Sequence, residues 1–224
     1  VEAMIVDVQC IMPSLPEICK CYHTKLVTTS AKAKIEGAQF YKFSEETALQ
    51  TAKEIVKDAI LNFPNREKVD IPKEKMDLIA GFSHEAINYM LGERFRESYV
   101  PLNDNVINGR IKGVAGVVGC SNPKVTHDRV HVNLVGELIA NDILVVQTGC
   151  SAIACGKAGY LIPEAAAKYA GKGLAEVCAA VGMPPVLHSG SCVDNSRILI
   201  ALSEMVRVGG LGKDISDLPV AGSA

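Results

Sequence analysis

With 224 residues, 48% of them hydrophobic and 21% charged, the chain holds enough apolar material for one large or two small domains with a real core. A net charge of −2 without a long basic run disfavours nucleic acid as a partner, because neutralising phosphates takes clustered Lys and Arg. No apolar run reaches bilayer length and the N-terminus lacks a signal-peptide pattern, so the chain reads as soluble and cytoplasmic.

The chain opens on a strand-like run, Met4-Ile-Val-Asp-Val-Gln-Cys10. Pro13 and Pro16 then mark a turn into a short helix, and the β-branched Lys25–Ser30 reads as a strand. Ser44 is placed to cap a helix, with Glu45 and Glu46 complementing its first-turn dipole. Leu49, Ala52, Ile55, Val56, Ala59, Ile60 and Phe63 follow the helical period, and Pro64 stops it. A strand is expected around Met76–Ala80, a helix over His84–Phe95, and a plain connection from Tyr99 to Asn108.

The second half alternates more cleanly. Strand 113–119, helix 127–141, strand 143–148, helices 151–158 and 163–181, strand 185–188 and helix 195–208 form βαβ units, which imply parallel strands covered by helices. The fold class expected is therefore α/β, with Rossmann-like parallel sheets flanked by helices in two sequential halves, 1–108 and 109–224. The terminal stretch Asp217–Ala224 reads as a loop, and both chain ends suggest a piece of something longer.

Three apolar runs in this half end on glycine or serine followed by cysteine: Val114-Ala-Gly-Val-Val-Gly-Cys120, Leu144-Val-Val-Gln-Thr-Gly-Cys150 and Pro185-Val-Leu-His-Ser-Gly-Ser-Cys192. Ligands of open α/β sheets collect at the carboxyl ends of parallel strands, so Cys10, Cys120, Cys150 and Cys192 can converge although far apart in sequence. Soft thiolates select zinc, copper(I) or iron–sulfur clusters. The gaps of 110, 30 and 42 residues contain no C-x2-C knuckle of a zinc ribbon and none of the tight spacing of a ferredoxin. They suit a cluster held between several loops. Cys155 and Cys178, on expected helices, read as core residues, and Cys19 and Cys21 as structural.

The residues around the four cysteines are more specific than their spacing. Val6-Asp-Val-Gln-Cys10-Ile-Met-Pro-Ser-Leu, Val118-Gly-Cys120-Ser-Asn-Pro-Lys, Thr148-Gly-Cys150-Ser-Ala and Leu187-His-Ser-Gly-Ser-Cys192-Val-Asp-Asn-Ser-Arg197 resemble, in this order, the nickel-containing carbon monoxide dehydrogenases of anaerobes. The resemblance runs over essentially the whole chain. It implies a Ni-Fe-S C-cluster, NiFe3S4 plus an extra iron, with Cys10, Cys120 and Cys150 as iron ligands and Cys192 as the nickel ligand and catalytic cysteine. The implied reaction is CO + H2O to CO2, two protons and two electrons. It also implies 4Fe-4S clusters on segments absent here, an electron acceptor such as ferredoxin, a possible acetyl-CoA synthase partner, and a homodimer at full length. A histidine and a cysteine for the extra iron are expected before this chain begins, and a catalytic lysine just past Ala224, so the chain alone is expected not to oxidise CO.

Three other readings stand beside it. The related hydroxylamine reductase, or hybrid-cluster protein, shares strand-end cysteines but contains no nickel. A metal-free α/β structural module would leave the thiols without metal. A dinucleotide-dependent dehydrogenase is disfavoured, because Gly209-Gly-Leu-Gly212 follows a helix instead of a strand. His188, before Ser189-Gly-Ser-Cys192, reads either as a hydrogen-bonding neighbour of the nickel ligand or as a satisfied strand histidine. His127 and His131 read as a solvated helix face. Asn122, Asp194 and Asn195 read as helix caps.

Overall fold

The protein is described from a computed structural model, which covers residues 1–7, 11–67, 69–95 and 98–224, with residues 90–95 as backbone alone. Contacts divide it into two compact units, Val1–Glu74 and Lys75–Ala224. This boundary lies well before the expected division at residue 108. The reason is packing: Phe82 and Tyr99 are buried in the same core as Val114, Val145 and Val186, so the segment before residue 109 folds with the second unit.

In the first unit, β1 (Ala3–Val6), β2 (Lys25–Thr28) and β3 (Gln39–Phe40) form a parallel sheet in that order. A short helix, α1 (Leu15–Lys20), carries Pro16 in its first turn and buries Leu15 and Cys19 with Val6 and Leu26. The helix after Ser44 begins later than expected. Glu45–Thr47 is a 3-10 turn, and α2 (Ala48–Asn62) follows it; the Ser44 hydroxyl bonds to the Thr47 hydroxyl at 2.8 Å instead of capping a backbone amide. Asn62, buried at the end of α2, donates to the carbonyls of Glu2 and His23, tying the helix to the chain just before β1 and β2. Ile55 is buried, whereas Leu49, Val56, Ile60 and Phe63 of the same periodic set are exposed.

The second unit is built on a four-stranded parallel sheet, β4 (Gly113–Val117), β5 (Ile143–Thr148), β6 (Val186–Gly190) and β7 (Val220–Ser223), in the order β6-β5-β4-β7. The alternating βαβ pattern is therefore observed, and β4 and β5 carry the near-continuous apolar runs of strands buried on both faces. The strand β7 was expected as loop. Only four residues long and ending Ala-Gly-Ser, it has no apolar signature; its backbone completes the ladder beside β4, from Val114↔Val220 to Val117↔Ser223. Conversely, 76–80 forms no strand. Its chain is irregular, with the Ile79 amide bonded to the Leu161 carbonyl.

Helices cover this sheet: α3 (His84–Phe95), α4 (Val100–Ile107), α5 (Arg129–Ala140), α6 (Gly149–Lys157), α7 (Glu164–Tyr169), α8 (Lys172–Val181) and α9 (Asn195–Val208). Helix α4 replaces the plain connection expected at 99–108; Pro101 sits in its first turn, and the buried Asn103 anchors it by donating to the carbonyls of Met205 and Gly209. The single helix expected at 163–181 is two, broken at Ala170-Gly171. Gly171 lies where a Cβ would come within 2.3 Å of the Asp142 carboxylate, so close packing sets the break. In α5, His131, Val135 and Ile139 line the buried face at four-residue spacing. His127 precedes that helix and is exposed, so the two histidines do not share a solvated helix face.

From β4 the chain moves outward through β5 to β6, then returns past β4 to β7. The right-handed rule for parallel crossovers sets α9, which leads back from β6 to β7, on the opposite face from α5. Ile198 of α9 accordingly packs over Gly116 of β4.

A thiol-bearing edge of the parallel sheet

The four strands end nearly level, with Val117 paired to Gln147 and to Ser223, and Thr148 paired to Gly190. Cysteines leave three of these ends. Cys120 follows β4 through Val118 and Gly119, Cys150 follows Thr148 and Gly149, and Cys192 follows Gly190 and Ser191. The three thus stand on neighbouring strands at one carboxyl edge, where open α/β sheets bind ligands. Cys120 is exposed, and Cys150 and Cys192 are partly so. Cys10 lies outside the described residues.

Local backbone geometry explains how each thiol is presented. Gly149 has φ +58°, a left-handed conformation that reverses the chain from β5 into α6. A Cβ at Gly149 would lie 2.4 Å from the Cys192 sulfur, so only glycine lets that sulfur approach the turn carrying Cys150. Cys150 falls in the first turn of α6, where aligned peptide dipoles favour negative charge. On β6 the register slips: Gln147 pairs with His188 but Thr148 with Gly190, leaving Ser189 as the extra residue of a bulge. Such a bulge re-aims the residues that follow it. Gly190, at φ +140°, then lies against the Asp194 carboxylate, where a Cβ would come within 2.4 Å.

The turn that presents Cys192 is a 3-10 turn, Cys192–Asp194, closed by a capping box in which the Asp194 carboxylate accepts from the Ser191 amide at 2.9 Å. Arg197 donates to Asp194 and to Glu85, both at 3.0 Å. The Ser191 amide and the Arg197 guanidinium hold the Asp194 carboxyl below the usual aspartate range. Asp194 thus closes the box from its far end, but at the start of α9, where a cap was expected, its side chain makes no capping bond. Asn122 accepts from the Lys124 amide at 2.9 Å, a local turn bond of the same kind. Asn195 does not cap: its side-chain oxygen accepts from the buried Thr148 hydroxyl at 2.5 Å. The fully buried Ser151 hydroxyl lies 2.7 Å from the Val117 carbonyl and 2.9 Å from that of Thr148. Thr148 and Ser151 were not singled out from sequence. Their signal is a polar residue ending an apolar run on either side of Gly149-Cys150.

His188 accepts from the Gly190 amide through Nδ1 at 3.1 Å, and its burial pushes its pKa below the ordinary histidine value. That makes it a satisfied strand histidine steadying the bulge, one of the two roles expected. Cys155 and Cys178 are fully buried, and burial pushes each thiol up to about 12. They are core residues. Cys19, on α1, is buried with Val6 and Leu26, and Cys21 is exposed.

Among the described residues, no three His, Cys, Asp or Glu side chains are gathered closely enough to hold a single metal ion. Thiols spread over adjacent strand ends fit a polynuclear cluster, in which each thiolate takes its own metal atom, better than a mononuclear zinc site.

The fold and this edge together define an open α/β protein whose parallel sheet delivers thiols from three neighbouring strands to one rim. The chain belongs to the Prismane/CO dehydrogenase family, which it matches over residues 1–224. It is 58% identical over its whole length to carbon monoxide dehydrogenase 1 of Methanosarcina mazei, of which it covers 35%. Carbon monoxide dehydrogenase IV from Carboxydothermus hydrogenoformans superposes with a TM-score of 0.89 at 49% identity, over all of this chain and 37% of that one. A nickel-free carbon monoxide dehydrogenase from Thermococcus sp. AM4, produced without the CooC maturase, superposes with a TM-score of 0.88 at 53% identity, over 35% of its length. The chain spans about a third of the length of these relatives. Among the described residues no helix is long and apolar enough to cross a membrane.

Proposed function

We propose that this chain carries the cluster-holding part of a nickel–iron–sulfur carbon monoxide dehydrogenase, which converts CO and H2O to CO2, two protons and two electrons. The observation that carries this reading is the thiol edge: Cys120, Cys150 and Cys192 leave adjacent strands, and the Cys192 sulfur approaches the Gly149 turn where no Cβ fits. Cys10, Cys120 and Cys150 would hold irons of the cluster and Cys192 the nickel. When bound, the cluster supplies the metals at which CO and water combine and the acceptor for the two electrons.

The chain's own residues supply geometry and charge. The first turn of α6 favours the negative charge of the Cys150 thiolate. The Ser191–Asp194 capping box fixes the turn from which Cys192 projects, and Arg197 neutralises the Asp194 carboxylate beside it. Gly149 excludes a side chain from the Cys192 sulfur and leaves that space to the ligated metal. An electron acceptor of the ferredoxin kind, an acetyl-CoA synthase partner and a cytoplasmic homodimer belong to the same proposal, as does inactivity of these 224 residues alone.

The test is metal analysis of the anaerobically purified parent enzyme and its Cys192→Ala variant. Nickel together with iron and sulfide in the parent, and loss of nickel and of CO-dependent viologen reduction in the variant, are expected. A parent produced together with a CooC-type maturase that still holds iron and sulfide but no nickel would point instead to a hybrid-cluster relative. An unchanged nickel content in the variant would remove Cys192 from the ligand set.

A further inference from the structure

Two hydroxyls stitch the cysteine loops together. Ser151, the residue after Cys150, reaches the carbonyl of Val117 at the end of the strand leading to Cys120. Thr148, two residues before Cys150, donates to the side chain of Asn195, three residues after Cys192. Both hydroxyl-bearing residues are fully buried. The Cys192 turn has its own brace in the Ser191–Asp194 box, but that box lies within its own loop. The Thr148–Asn195 bond is different, because it runs from β5 to the first residue of α9 and so ties the Cys150 loop to the Cys192 loop.

From this geometry we infer that Thr148 and Asn195 are positioning residues that set the distance of the Cys192 thiolate from the Cys150 loop, and so govern nickel retention. The inference rests on the proposed role of Cys192. The Cys192 sulfur already touches the Gly149 turn, so a small swing of α9's first residue moves it toward or away from that turn. Breaking the bond leaves Ser151 in place between β4 and the Cys150 loop, and with it the tie nearest the expected iron ligands. The effect should therefore fall on nickel more than on iron.

The experiment compares the anaerobically purified holoenzyme with Thr148→Val, which keeps shape and loses the hydroxyl, and Thr148→Ser, which restores it. Nickel, iron and sulfide are quantified, the nickel K-edge spectrum is recorded, and thermal unfolding is followed in parallel. Thr148→Val should weaken nickel retention by about tenfold or more, as removal of groups that orient metal ligands does. Its iron and sulfide should stay near wild-type, and Thr148→Ser should recover both nickel content and spectrum. Unchanged nickel content and spectrum in Thr148→Val, with a nickel-loaded wild-type, would overturn the positioning role and leave the cluster reading standing. Parallel loss of iron, sulfide and thermal stability would overturn it too, showing a purely structural bond. A wild-type enzyme that lacks nickel even when produced together with a CooC-type maturase would overturn the nickel-cluster reading and this inference with it.

Discussion

The Cys192 sulfur rests against Gly149, so close that an added Cβ would lie 2.4 Å away. The contact joins residues 43 positions apart and places the end of β6 beside the start of α6. It also separates two kinds of damage, to folding and to metal binding.

Gly149→Ala should show both. Its φ of +58° costs a non-glycine residue roughly 1–2 kcal/mol. In the metal-free protein the Cys192 side chain can rotate away, so the stability loss should stay near that figure. In the loaded enzyme the sulfur has no such freedom, and nickel content should fall severely. Chemical denaturation of the metal-free form and metal analysis of the loaded form check the two parts. Full nickel content in Gly149→Ala would contradict the contact.

Thiol reactivity should follow burial and metal binding. The thiolate is the nucleophile, and burial pushes Cys155 and Cys178 up to about 12, so both should resist iodoacetamide in the folded protein at pH 8. The exposed Cys21 and Cys120 should react readily when metal is absent. Loading the cluster should protect Cys120 and leave Cys21 reactive. Mass spectrometry of alkylated peptides reads all four, and a Cys120 still reactive in the loaded enzyme would remove it from the ligand set.

Acid should loosen the first unit through Glu2. A hydrogen bond from Arg66 holds its carboxyl down at about 2, against an ordinary 4.5, with a smaller contribution from His23. A carboxylate whose folded value is depressed contributes stability that is fully present above the unfolded value and is lost as pH falls through the folded one. The wild-type melting temperature should therefore fall more steeply between pH 4.5 and 2 than that of Glu2→Gln. Parallel curves for the two proteins over that window would show that the Glu2–Arg66 pair carries none of the acid sensitivity.

Much of the fold was legible in local pattern. The β-branched run of β5, the alternation of strand and helix patterns through the second half, and the small residues closing each strand before cysteine are short-range signals. They identify strands, helices and the topological position of Cys120, Cys150 and Cys192, because a parallel sheet brings the ends of its strands to one edge whatever the loop lengths. What had no local signal went astray. The strand β7 carries no apolar alternation and exists because β4 offers it a backbone partner, with Gly113 leaving room where a Cβ would meet the Pro219 carbonyl at 2.5 Å. Residues 76–80 have an apolar strand-like composition and find no regular partner, so they stay irregular.

The sequence by itself determined the α/β class, the parallel second sheet and which cysteines would stand at its rim, since these follow from periodicity and strand order alone. Only the tertiary structure decided how that rim is held: the Ser189 bulge, the Cys192–Gly149 contact, the Thr148–Asn195 bond, and Ser151 between two strand ends. Each depends on the approach of segments 30 or more residues apart to within a few ångströms, and side-chain type alone does not encode such distances.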